Sequence, residues 1–250
     1  MQHAYNFQLS QPTGQLSAFV QGIWSASVYQ PDSVVKPLYS DAGSGILFNL
    51  VGRVKIGSQV MSEGVIMLPT DKLAKNIVLT SGAQLAGIRF HPAIGFGILG
   101  RRYDKPTLLL PEQDQLHNLY QIYSELKTLK DNKIQIDTLY LWAEKNLDFT
   151  DVIPASLEKA LESINQDKTL GNISENIKMS QRQIERIFQH RLGMTPKHYQ
   201  RILRIKKAIN FLRLHKNENL ADVAQQFGFS DQAHITREFR TIACVTPGKI

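Results

Sequence analysis

The spacing of apolar positions along this 250-residue chain changes part-way. Up to about residue 92 the apolar residues come in short runs punctuated by Gly, Pro, Asn and Ser. "GILFNLVGRVKIGSQ" (45–59) holds two such runs broken at Val51, Gly52 and Arg53, a pattern that predicts a hairpin. Runs at 64–69, 76–82 and 84–92 follow at intervals of roughly ten residues, the rhythm of an antiparallel barrel or sandwich. From Pro111 the period lengthens. Leu116, Leu119, Tyr123 and Leu126, then Ile136, Leu139, Tyr140, Ala143 and Leu147, recur every three or four positions. They predict two amphipathic helices joined by the polar "KDNK" at 130–133. "NLDFTDVIP" (146–154) has no period and ends in proline, which places a domain boundary near 150–154, with one domain at 1–150 and another at 155–250.

Beyond that boundary the pattern is helical throughout. Leu157, Ala160, Leu161 and Ile164 mark one helix; Leu170, Ile173 and Ile177 mark a short second one. The tract "KMSQRQIERIFQHRLGMTP" (178–196) carries Ile184, Ile187 and Phe188 on one helical face, and Pro196 can open a long helix striped by Ile202, Ile205, Ile209 and Leu212. Leu220, Val223, Ala224 and Phe227 mark another short helix. "GFSDQAHITREFRTIACVTP" (228–247) then echoes the earlier tract. Leu170, Ile173, Ile177 and Ser180 match Leu220, Val223, Phe227 and Ser230 at a separation of 50, while Phe188/Phe239 and Pro196/Pro247 are 51 apart. The expectation is two helix-turn-helix units, the second with one extra residue near the start of its second helix. Ser180 with Gln183 three residues on reads as a capping box.

Helix geometry turns Arg182, Glu185, Arg186 and Gln189 away from the apolar face, and in the echo Ala233, Thr236, Arg237 and Arg240, with Gln232 and His234 beside them. Arg, Gln, Glu and Thr are side chains that pair with base edges in a major groove, which admits an α-helix. A solvated polar face is the ordinary explanation of one such stripe; two copies of it favour a nucleic-acid surface. Charge points the same way. Residues 1–150 hold 13 Lys+Arg and 12 Asp+Glu, residues 151–250 hold 16 and 10, so almost all of the net +7 lies in the last hundred residues. A single cysteine, Cys244, excludes an internal disulfide and reads as a packed thiol. With no signal-peptide pattern at "MQHAYNFQLSQPTGQ" and no long apolar span, the expectation is a soluble cytoplasmic protein without a membrane partner.

Residues 155–250 resemble the C-terminal DNA-binding domain of the AraC/XylS family of bacterial transcription regulators. The resemblance rests on "S-x3-IxRxFxxxxGxTPxxY" at 180–199, "RIKKAINFL" at 204–212 and "LADVAQQFGFSDQAHITREFR" at 220–240. It implies two helix-turn-helix units joined by a long helix, with double-stranded operator or promoter DNA as partner and RNA polymerase as a further one if the protein activates. By the same resemblance the base-reading positions fall on Arg182, Glu185 and Arg186 in the first unit and on Gln232, Ala233, His234, Thr236 and Arg237 in the second; Gln181, Gln183, Lys197 and Arg240 are candidates for phosphate contacts. Two departures bear on the second unit: Cys244 stands where the family usually has Gly, and the chain stops at Ile250, where the family commonly continues through a short closing helix.

For the front of the chain the resemblance implies a cupin-like antiparallel β-barrel that senses a small molecule, followed by two helices that form a homodimer through residues 112–147. The fold class expected is therefore α+β, with an all-α C-terminal domain. Trp24, Tyr39 and Phe48 are candidate effector contacts, though core packing explains such aromatics more often. A metal cupin needs several converging His or Glu ligands. His91 is the only histidine among the clear strands, no H-x-H occurs, and neither G-x-S-x-G nor a phosphate-cradling loop is present. No catalytic residue, metal or cofactor is expected. "GRRYDKP" (100–106) reads as a solvated loop. The competing classes are a small-molecule binder without DNA specificity and a cupin enzyme.

Overall fold

At Gly52 the backbone takes φ 87°, a left-handed conformation that suits glycine, and the chain changes sheets. The computed structural model describes residues 5–250, except that nothing is described of the Leu170 side chain. The strands are β1 (Tyr5–Ser10), β2 (Val20–Val28), β3 (Val34–Leu38), β4 (Gly45–Val51), β5 (Val54–Ile56), β6 (Gln59–Met61), β7 (Gly64–Leu68), β8 (Lys75–Leu79), β9 (Gln84–Phe90) and β10 (Thr107–Leu108). They form a six-stranded sheet in the order β1-β2-β9-β4-β7-β10 and a four-stranded sheet in the order β3-β8-β5-β6. The hairpin expected over 45–59 is thus corrected. β4 pairs with β7 and β9, while β5 pairs with β6 and β8, so Gly52 is a corner between sheets. The true hairpin is β5–β6, turning at Gly57 with φ 59°.

The helices are α1 (Ile94–Leu99), α2 (Leu119–Thr128), α3 (Asn132–Asn146), α4 (Ala155–Asn165), α5 (Leu170–Ile177), α6 (Gln181–Leu192), α7 (Pro196–Leu214), α8 (Leu220–Gln226) and α9 (Gln232–Ala243). The chain divides into two compact units. Among the described residues the first comprises 5–36, 43–70 and 76–152; the second comprises 37–42, 71–75 and 153–250.

In the first unit, Asp131 caps α3 by accepting from the Ile134 N–H, and α3 packs on β2 and β9. Its inward face includes buried Asn132 and Gln135, which accept hydrogen bonds from Ser27 and Ser25 of β2. Buried polar atoms without partners cost about 1–3 kcal/mol each, so these pairs make the serine-lined face of β2 tolerable. On α2 the inward stripe is Leu119, Ile122 and Leu126. Leu116, expected in that stripe, precedes the helix and is 77% exposed.

In the second unit α4 lies against α5, α6 and α7, and α9 against α7 and α8. Ile184, Phe188, Leu192, Tyr199, Ile202, Ile205, Ile235 and Phe239 form its buried centre. Burial raises the Tyr199 hydroxyl above its ordinary value.

Candidate nucleic-acid interface

The second unit holds one supersecondary design twice. α5 and α8 end the same way. Lys178 and Gly228 sit in left-handed conformation (φ 52° and 70°), with their N–H groups donating to Glu175 and Gln225 carbonyls, and the Met179 and Phe229 N–H groups donate to Ser174 and Ala224. These closures repeat at an offset of 50. α6 and α9 are both 12 residues long and repeat at an offset of 51, from N-cap (Ser180, Asp231) to C-cap (Gly193, Cys244). The extra residue is Ser230, which lies in the turn ahead of the cap. The second helix is not lengthened, and the residue equivalent to Ser180 is Asp231.

The caps explain where each helix starts. The Ser180 N–H donates to Gln183 Oε1 at 2.8 Å and the Gln183 N–H donates to Ser180 Oγ at 3.3 Å, a complete capping box. In the second copy the His234 N–H donates to Asp231 Oδ1 at 2.6 Å, and the Ser230 N–H donates back to His234 Nδ1 at 3.2 Å. The histidine ring therefore fills the place of the Gln183 amide. The His234 N–H, together with the Ser230 hydroxyl, which donates to Asp231 Oδ2 at 3.1 Å, holds the Asp231 carboxyl below the usual carboxylate range.

Arg182, Glu185 and Arg186 all stand exposed on α6, and Gln232, Ala233 and Arg237 on α9. His234 and Thr236 differ from them. His234 is half-buried, bonded to the cap and set edge-on to Phe229 at 5.4 Å. Thr236 is half-buried and donates to the Gln232 carbonyl. Among the phosphate candidates Gln181, Lys197 and Arg240 are exposed, while Gln183 has its amide oxygen in the cap. The outward residue Gln189 reaches the Gly193 carbonyl at 3.4 Å, so it serves the end of α6. At equivalent positions Arg182 corresponds to Ala233 and Glu185 to Thr236, so these differ, while Arg186 is matched by Arg237 and Gln181 by Gln232.

Residues 173–250 match a helix-turn-helix domain family. The second unit thus carries a helix-turn-helix domain, similar to that of AraC/XylS-type regulators. The transcriptional activator RhaS of Citrobacter koseri is 35% identical over 69 residues, 28% of this chain and 24% of that protein. RhaS of Escherichia coli is 35% identical over 68 residues, 27% of this chain and 24% of its own length. The matched region thus spans about a quarter of these relatives. Across 99% of the chain and 97% of the other, the fold resembles that of ToxT from Vibrio cholerae, with TM-score 0.50 at 12% identity. That likeness extends the α+β plan to both units: antiparallel sheets first, helix-turn-helix region last.

Within this helix-turn-helix domain the departure at Cys244 is structural. Its thiol is exposed, which corrects the expectation of a packed one, and its backbone takes φ 53°, the conformation that glycine adopts at Gly193. Three basic side chains of α7 serve the fold. Arg201 pairs with Glu238, Arg204 donates to the Gly228 carbonyl at 3.0 Å, and Lys207 donates to Asp167 at 2.6 Å and to the Asn165 carbonyl at 3.3 Å. Sequence reasoning did not single out Arg201, Arg204 or Glu238. The three-residue spacing of the two arginines along α7 was the available signal.

The front-unit candidates do not share one wall. Register places Trp24, Gly87 and Leu47 in one row and Ser25, Ala86 and Phe48 in the next, so Trp24 and Phe48 point to opposite faces of the sheet. Phe48 is fully buried on the face where Ser25 meets α3. Trp24 lies on Gly87, where a Cβ would come within 2.6 Å of its ring, and it neighbours Phe7 at 6.1 Å. Tyr39 is half-buried and belongs to the second compact unit. Nε2 of His91 lies 3.2 Å from the Ser17 carbonyl oxygen. Among the described residues no group of three His, Cys, Asp or Glu converges, and no helix is long and apolar enough to cross a membrane.

Proposed function

We propose that this protein is a cytoplasmic, sequence-specific DNA-binding transcriptional regulator that reads double-stranded operator or promoter DNA with α6 and α9. The carrying observation is the exposed set Arg182, Glu185 and Arg186 on a doubly capped helix, repeated in weaker form by Gln232, Ala233 and Arg237. His234 and Thr236 act from the second rank, through the cap and the helix backbone. Gln181, Gln183, Lys197 and Arg240 serve as phosphate contacts. The role is regulation rather than catalysis. By analogy with the RhaS activators the outcome is activation, with RNA polymerase as a partner. Residues 112–147 join two copies, and the exposed Ile134 and Leu141, two turns apart on α3, supply an apolar seam for that contact. A small-molecule effector held by the front unit controls the outcome, and half-buried Trp24 beside exposed Phe7 is where its search begins.

The test is selection of bound fragments from random duplex DNA by the full chain at physiological salt. Arg186→Ala should cost about 1–3 kcal/mol and relax preference at one or two base pairs. Lys197→Ala should weaken all sequences alike and lower the salt slope by about one. If no fragment outcompetes random DNA, the reading is wrong; if the two variants exchange behaviours, the assignment of reading and anchoring residues is wrong.

A further inference from the structure

Glu238 sits beside the base-facing stripe of α9 yet is not turned to solvent: its side chain is only 12% exposed. Arg201, near the start of α7, donates from Nε and Nη2 to its two carboxylate oxygens, the second bond at 2.8 Å. At the equivalent place on α6, 51 residues earlier, stands Ile187, which borders a narrow apolar seam with Leu157 and Ala160 of α4. The two helices are therefore seated by different chemistry at one shared position. An apolar contact has no preferred direction, whereas a two-bond fork fixes both the distance and the plane of its partners. Arg204, one turn along α7, holds the Gly228 carbonyl and stacks on Phe229 at 5.6 Å, which anchors the turn before α9.

We propose that Arg201 and Glu238 are specificity-determining positioning residues: without touching DNA, their fork sets the roll of α9 about its axis and so aims Arg237 and Gln232. The proposal rests on the reading of α9 as a base-contacting helix. At the outer radius of a helix, about 5–6 Å, a roll of about 10° moves a side chain by about 1 Å. Functional constellations tolerate roughly 0.5 Å. Arg237 directly precedes Glu238 in the chain, so any slackening of the fork reaches it without an intervening residue.

The experiment is site selection from random duplex DNA by the full chain, with a thermal melt of each variant alongside. Base pairs belonging to α6 and to α9 are assigned first, from Arg186→Ala and Arg237→Ala. Glu238→Gln and Arg201→Lys each keep the size of the side chain but break the fork. Both should lose preference by at least about fivefold, the lower end of what one base contact supplies, at the α9 positions and not at the α6 positions. The double exchange Arg201→Glu with Glu238→Arg, which rebuilds the fork reversed, should recover part of that preference. A lowered melting temperature with an unchanged motif, or equal loss at both sets of positions, overturns the positioning role alone. A wild-type chain that selects no motif overturns the DNA reading and this proposal together.

Discussion

The two helix-turn-helix copies share length, turn closure and a fully buried phenylalanine, and differ in most of what faces outward, the matched pairs Arg186/Arg237 and Gln181/Gln232 excepted. α6 presents two arginines and a glutamate, is capped by a hydroxyl and an amide, and is backed by α4. α9 presents Arg237 and Gln232 beside Ala233, is capped by a carboxylate and an imidazole, and is backed by α7 through a charged fork. The inward half of the pattern is what folding requires of any such unit, so it repeats. The outward half answers to whatever the unit meets, and there the first copy carries more chemistry. On the proposed DNA-reading function, the first unit is expected to be the stronger reader and the second a more weakly specified partner.

The largest effect separates the shared from the unshared half. Phe188→Ala and Phe239→Ala each empty a fully buried site, and each should cost about 3–5 kcal/mol of stability in the second unit. Chemical denaturation measures both. Similar losses support the equivalence of the two interiors. A loss at Phe239 below half of that at Phe188 would mean that the second copy packs loosely and that its difference begins in the core.

The helical half of the chain was legible because periodicity, caps and proline agree there. α4, α6, α7 and α9 lie where their apolar stripes put them, and Ser180 with Gln183 marks the start of α6 and Pro196 that of α7. β7, β8 and β9 also match their runs. Residues 5–38 hold three strands whose apolar alternation is too weak to locate them. The corner at Gly52 looks like a hairpin because a turn residue does not say which strand its neighbours will pair with. The burial of Asn132 and Gln135 is not legible in the sequence, since their partners Ser27 and Ser25 are more than a hundred residues away. The same blindness applies to the site. Exposure of Arg182, Glu185 and Arg186 follows from helix phase alone, but the use of His234 as a cap and of Glu238 as an anchor depends on contacts with Ser230 and Arg201 that phase does not encode.

A smaller effect distinguishes the caps. Ser180→Ala removes a hydroxyl cap and should cost about 1 kcal/mol, independent of pH. The Asp231 cap depends on ionisation. Its carboxyl titrates below the usual carboxylate range when folded, so the stability it contributes is present above that range and is lost as pH falls through the lowered value. Acid titration of wild type and Asp231→Asn, followed by helix circular dichroism, should show an acid-dependent loss in the first that is absent in the second. An equal acid response in both would place the pH-sensitive group elsewhere.

The smallest effect concerns the left-handed residues, where the copies are complementary. Each copy has two such positions and fills one with glycine: Gly193 but Lys178 in the first, Gly228 but Cys244 in the second. A side chain in this conformation costs roughly 1–2 kcal/mol, while glycine costs about 0.4–1 kcal/mol by loosening the unfolded chain, so replacement leaves a net gain of roughly 0.5–1 kcal/mol. Lys178→Gly and Cys244→Gly should therefore each raise the melting temperature by a few degrees, and together they should add, because the two positions close different helices. No Cβ contact stands within 4 Å of Gly228, so glycine is needed there for its backbone alone; the same reasoning makes the exposed Cys244 thiol dispensable to packing. A Cys244→Gly chain that melts lower than wild type would show that the thiol holds something the backbone argument does not include, and the second copy would then differ from the first by a side-chain role at its C-cap.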